Sequence, residues 1–162
     1  IMIRNTYAFS KYCGEHAALR ANSIVLRTNF FGKSKTKGRL SICDWLEEGL
    51  KEKKPLKLFT DVMFTPLSVK TLSEMIALVV DNFKTGVFNL GSANGMSKRD
   101  FVALFANKLG LGLENTADAL LTDLKLKAKR PIDMRMNCTR FEETFRVKLP
   151  NLSEEIELAS KE

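Results

Sequence analysis

The amino-acid sequence predicts an α/β fold, and two observations carry that prediction. Segments with apolar residues at helical spacing alternate with short apolar runs rich in β-branched residues. The order is helix–strand–helix–strand–helix–strand–helix, which suits helices laid on a mostly parallel sheet. At the joints stand residues that punctuate a chain, among them Gly32, Pro55, Gly86, Gly110 and Pro150.

Each element has its own justification. Residues 7–21, YAFSKYCGEHAALRA, are good helix formers with apolar residues at helical spacing. Residues 23–32, SIVLRTNFFG, read as one buried strand ending in glycine. Over 39–52, Leu40, Cys43, Leu46 and Leu50 fall on one helical face, and Pro55 ends that helix. LKLF, 56–59, alternates as a short strand. Residues 68–83 hold the strongest helical stripe, through Leu72, Met75, Ile76 and Val79. Gly86 then opens the strand VFNL. Ser97 starts the next helix with Asp100 three residues on, in the manner of a capping box, and Gly110 closes it. TRFEETF and LSEEIELASK read as short helices on either side of Pro150.

Composition narrows the function classes. The chain has 162 residues, 44% hydrophobic and 28% charged, enough to bury a core without staples. No apolar run approaches the roughly 18 residues of a membrane span, so no membrane partner is expected. IMIRNTYAF lacks the apolar middle and cleavage site of a signal peptide. Cys13, Cys43 and Cys138 are odd in number and form no CxxC, which predicts reduced thiols in a cytoplasmic protein. The net charge of +7 admits nucleic acid or small anions. The basic runs GKSKTKGR, KEKK and KLKAKR are short and scattered, and no nucleic-acid motif accompanies them, so no nucleic acid is expected. GKS at 32–34 would need glycine at position 27 to be a phosphate loop, and that residue is Arg27. NCT at 137–139 fits a glycosylation sequon without a secretory context. No metal-ligand set surrounds His16, the single histidine, which reads as solvent-facing.

The chemistry-bearing stretch is NTYAFSKYCGEH. Tyr7 and Lys11, four apart, lie one above the other on a helix. A free phenol has a pKa near about 10, too high to exchange protons readily at neutral pH. A neighbouring ammonium favours the phenolate. Such a phenol can protonate a carbonyl oxygen, and the same lysine can hydrogen-bond a ribose hydroxyl. A Tyr-Lys pair alone also arises as an ordinary exposed helix pair. Its surroundings, N-x-Y-x-x-S-K-x-x-G-E, carry more weight.

This stretch resembles the active-site segment of the extended short-chain dehydrogenase/reductase family, and the segments that follow resemble the family in order. VLRTNFFG resembles the strand after the catalytic helix. LKLFTDVMFTPLSVKTLSEMIALVV resembles a strand, substrate loop and helix, with Lys70 and Ser73 where the family carries an acidic residue and alanine. GVFNLGSANGMSKRDFVALFANKLG resembles the next strand and Ser-capped helix, and KRPIDMRMNCTRFEETF the RP-x-D segment and its helix. LRTNFFG and RPIDMRMN fit the nucleotide-sugar reductase branch better than the epimerases or dehydratases.

The resemblance implies the carboxyl-terminal part of a Rossmann-like enzyme using NADP or NAD, with a substrate-binding subdomain for a nucleotide sugar. Residues 1–38 would be the last part of the dinucleotide-binding domain. Residues 39–162 would be mainly substrate-binding subdomain, with some segments returning to the Rossmann sheet. Tyr7 would protonate the C4 ketone of a dTDP-deoxysugar, and Lys11 would bind the nicotinamide ribose. Thr28 and Asn29 would lie by the nicotinamide. Phe30 stands where the reductases pack a tryptophan on the sugar, and Arg130 would meet the diphosphate. From the residues alone, Phe30 reads equally as core, Arg130 as surface charge, Ser10 as a helix-surface hydroxyl, and Trp45 as core or interface. No glycine-rich cofactor turn occurs, and the family's third catalytic hydroxyl lies upstream of the six residues before Tyr7. The chain is therefore expected to be a fragment, inactive alone, of a parent enzyme that admits a homodimer. An epimerase or dehydratase of the same fold, or a non-catalytic regulatory member, are the alternatives.

Overall fold

The computed structural model describes Ile3 and residues 5–161. Helices and strands run in the order α1 (Thr6–Leu19), β1 (Ile24–Thr28), β2 (Phe30–Phe31), α2 (Ile42–Lys51), β3 (Leu56–Phe59), β4 (Met63–Phe64), β5 (Leu67–Ser68), α3 (Val69–Asp81), β6 (Gly86–Leu90), β7 (Met96–Ser97), α4 (Lys98–Lys108), β8 (Thr116–Ala119), β9 (Asp133–Met134), α5 (Thr139–Phe145) and α6 (Leu152–Ser160). A single turn of 3-10 helix, Leu121–Asp123, follows β8.

Parallel pairing dominates, as the alternation requires. β1 pairs with β6, from Ile24 opposite Gly86 to Thr28 opposite Leu90. β2 pairs with β5, and β3 with β8, also in parallel. β4 lies between β7, antiparallel, and β9, parallel. The expected single strand over 23–32 is two. At Asn29 the chain changes partner from β6 to β5, and the Asn29 carbonyl accepts the Leu67 N–H.

Local chemistry sets the helix starts. Ser41 caps α2 in a reciprocal box, its Oγ accepting the Asp44 N–H while the Asp44 carboxylate accepts the Ser41 N–H. The cap shortens the helix expected over 39–52, so Leu40 falls outside it and is exposed. Ser97 caps α4 as expected, accepting the Asp100 N–H at 3.0 Å. Gly110, at φ +66°, turns the chain out of α4 in the left-handed conformation that favours glycine. α1 stops at Leu19, before the expected Ala21.

Two apolar clusters hold the body together. One gathers Leu46 and Leu50 of α2, Leu56 and Leu58 of β3, Phe101 and Phe105 of α4, and Leu152 and Ile156 of α6. The other gathers Leu67, Leu72 and Val79 with Phe88, Leu90, Phe141 and Phe145. Of the expected α3 stripe, Leu72 and Val79 are buried, Met75 is half-buried and Ile76 is exposed. Trp45 is exposed, which corrects its reading as core: α2 turns Cys43, Leu46 and Leu50 inward and Trp45 outward. A buried carboxyl joins the clusters. Glu155 of α6, 2% exposed, accepts the Ser68 N–H and, at 2.7 Å, the Thr71 hydroxyl at the start of α3.

Candidate active site

α1 presents the Tyr-Lys pair. Asn5 caps it, its Oδ1 accepting the Ala8 N–H at 2.9 Å. The Asn5 amide also donates to the Lys129 carbonyl at 2.9 Å, tying the helix start to a segment 124 residues away. Further along, Glu15 takes a bidentate hydrogen bond from Arg27 of β1, at 2.8 and 2.6 Å. That guanidinium holds the Glu15 carboxyl below the usual carboxylate range. The register of α1 on the sheet is thus fixed at both ends.

Within this frame Tyr7 and Lys11 share a helix face. The Lys11 ammonium lies 5.6 Å from the Tyr7 ring centroid. Tyr7 is 71% exposed, so its ring is open to a ligand. Ser10 donates to the Tyr7 carbonyl at 2.8 Å, a helix-surface role. His16 is exposed, in edge contact with Tyr12.

Tyr7 opens onto a cleft of about 1130 Å³, whose walls include Asn5, Phe59, Val62, Lys98, Lys127, Lys129, Arg130, Pro131 and Asp133. Of the residues singled out in the sequence, Tyr7 and Arg130 meet in this cleft. Lys11, Thr28, Asn29 and Phe30 lie outside its lining. Phe30 is 60% exposed, which removes its reading as core. Thr28 and Asn29 are half-buried at the end of β1, and the Thr28 hydroxyl donates to the Asn29 carbonyl at 3.3 Å. The Asn29 side-chain carbonyl oxygen is buried and, among the described residues, accepts no hydrogen bond. A buried acceptor left unpaired marks a place where a ligand donor gains.

The electrostatics of the cleft are one-sided. Among the described residues, four cations, Lys98, Lys127, Lys129 and Arg130, stand against one acid, Asp133. Asp133 is already engaged by the Arg135 side chain and N–H, which hold its carboxyl down at about 2. That balance gives the cleft a positive potential, which favours an anion over a cation. Lys98 carried no signal in the sequence beyond its place directly after the Ser97 cap.

Among the described residues no helix is long and apolar enough to cross a membrane. No group of three or more His, Cys, Asp or Glu side chains among them could hold a metal ion.

Residues 4–162 match the family described as the RmlD substrate binding domain. No curated protein matches the chain. Among solved structures, dTDP-4-dehydrorhamnose reductase from Bacillus anthracis, in complex with NADP, superposes with a TM-score of 0.86 at 18% identity, over 98% of this chain and 56% of that one. The reductase of the same name from Yersinia enterocolitica gives 0.84 at 16% identity, over 99% and 57%. dTDP-glucose 4,6-dehydratase from Bacillus anthracis, in complex with NAD, gives 0.78 at 17% identity, over 99% and 52%. The chain spans just over half the length of these structures, and its fold is that of the carboxyl-terminal part of Rossmann-like extended short-chain dehydrogenases/reductases.

Proposed function

The chain belongs to the RmlD substrate-binding-domain family, and from that membership we propose that it forms the substrate side of an NAD(P)-dependent nucleotide-sugar reductase acting on the C4 ketone of a dTDP-deoxysugar. One observation carries the reading. Tyr7, with the Lys11 ammonium over its ring, opens onto the same cationic cleft as Arg130. A phenol and a guanidinium thus line one cleft, where a single elongated ligand can reach both.

In this reading Tyr7 donates its hydroxyl proton to the ketone oxygen. Arg130 holds the diphosphate and so fixes the sugar's distance from Tyr7. Phe30, with its ring in solvent, supplies an apolar face for the sugar. The cofactor's reduced form, NADPH or NADH, would supply the hydride and leave as NADP or NAD. This chain's residues fit its nicotinamide end: Lys11, in no ion pair among the described residues, can donate to ribose hydroxyls, and the unpaired Asn29 oxygen can accept an amide N–H. Residues 1–38 would close the dinucleotide domain, and residues 39–162 would mainly form the substrate side, with β6 returning to β1. Three free thiols support a cytoplasmic setting.

The test is NADPH oxidation with a dTDP-4-keto-6-deoxy sugar, in the protein that joins these residues to a dinucleotide-binding half. Wild type should consume NADPH, and Tyr7→Phe should lose at least about 100-fold in kcat. No NADPH loss by wild type rejects the reductase in favour of an epimerase or dehydratase. Unchanged activity in Tyr7→Phe rejects Tyr7 as the acid. The 162-residue chain alone should show no turnover.

A further inference from the structure

Lys98 sits at an unfavourable place for a lysine. It is the first residue of α4, directly after the Ser97 cap. The N-terminus of a helix carries partial positive charge, so a cation in the first turn is unfavourable there. The backbone of Lys98 is pinned by its N–H donating to the Val62 carbonyl at 2.8 Å, which fixes the side chain's origin. Lys98 is half-buried, and among the described residues it makes no ion pair. Burial and the like charge of Arg130 both push its ammonium below the usual lysine range. Asp133, the one acid in the same cleft, is spent on Arg135. The one acid in the same turn, Asp100, is engaged by the Ser97 hydroxyl and Arg99, so this half-buried cation at a helix start has no ion-pair partner among the described residues.

We propose that Lys98 and Arg130 form a two-point clamp for a diphosphate, with Lys98 the second cationic contact that Arg130 alone cannot provide. The anion supplies the missing partner. It lies between the two positive groups and against the N-terminal turn of α4, where a negative charge is favoured. Arg130 comes from the loop before β9 and is exposed, so it grips from the rim. Lys98 is anchored on a helix and grips from the wall. The clamp rests on the nucleotide-sugar reading only for the identity of what carries the diphosphate.

The test separates the two claims. Thermal shift and calorimetric titration of the chain are run with inorganic pyrophosphate, dTDP and thymidine. Pyrophosphate and dTDP should raise the Tm of wild type. Lys98→Met should weaken both by about 10- to 30-fold, the loss expected for a charged hydrogen bond. Lys98→Arg should keep affinity within about threefold. Any thymidine binding should be the same in wild type and Lys98→Met. Without ligand, Lys98→Met should melt above wild type, since it removes an unpaired half-buried charge. That readout does not depend on the identity of the ligand. dTDP binding that is equal in wild type and Lys98→Met overturns the clamp and leaves the proposed function standing. Lys98-dependent pyrophosphate binding without dTDP binding supports the clamp and counts against the nucleotide sugar. No response to either phosphate probe, or a lower ligand-free Tm for Lys98→Met, overturns the clamp.

Discussion

Helices α1 and α4 are similar in length, 14 and 11 residues, and opposite in how they are held. α4 buries Phe101, Val102, Phe105 and Ala106 between α2, β3 and α6. α1 buries none of its residues. Its attachment is polar: the Glu15–Arg27 pair at one end and the Asn5–Lys129 hydrogen bond at the other. The helix that carries the proposed acid is thus the one the rest of the chain supports least. Its exposed aromatics Tyr7 and Phe9 are free to meet something else. α4 works the other way, as a well-packed post with Lys98, the proposed anion contact, at its tip. Stability and chemistry are divided between them, and substitutions should expose the division.

The largest effect is expected in the post. Phe105, fully buried against Phe101, should cost about 3–5 kcal/mol as Phe105→Ala, read as a fall in the chemical-denaturation midpoint. Phe9→Ala on α1 should change the same midpoint by less than about 0.5 kcal/mol. Equal losses at the two positions would erase the contrast.

Next comes the tie between the clusters. Glu155→Ala strips the Ser68 N–H and Thr71 hydroxyl of their acceptor inside the protein, and should cost about 2–3 kcal/mol. The broken contacts lie at the start of α3, so amide exchange should rise in its first turn.

The smallest global effect should be at the α1 anchor. Glu15→Gln should change overall stability by less than about 1 kcal/mol, while amide exchange through α1 accelerates. The pH dependence has a definite sign. Arg27 lowers the folded pKa of Glu15, so the pair's contribution is present above the unfolded carboxyl value and is lost as pH falls through the lower, folded one. Acidification should therefore loosen α1 of wild type selectively, and Glu15→Gln should abolish that pH response.

The comparison also shows what a sequence can disclose. The long periodic elements α2, α3 and α4 and the apolar strands β1, β3 and β6 announce themselves through patterns confined to a few turns. β4, β7 and β9 are two residues each, too short for any period, and exist because β4 finds partners 34 and 70 residues away, as Met63 lies opposite Ser97 and Asp133. The break at Asn29 had no local sign either, since it reflects a change of partner strand. At the site, Tyr7 and Lys11 were legible because their relation is one helical turn. Lys98 was not, because its proposed role depends on Arg130, 32 residues on, and on its own partial burial in the wall of the cleft.

The most direct test of the account is where a nucleotide sugar lands. Titrating dTDP-rhamnose into isotope-labelled chain should give saturable NMR shifts at Tyr7, Lys98, Arg130 and Ile132, which line one cleft. Shifts gathered instead in the polar groove of Ser92, Asn94 and Asn137, or none at millimolar ligand, would contradict it.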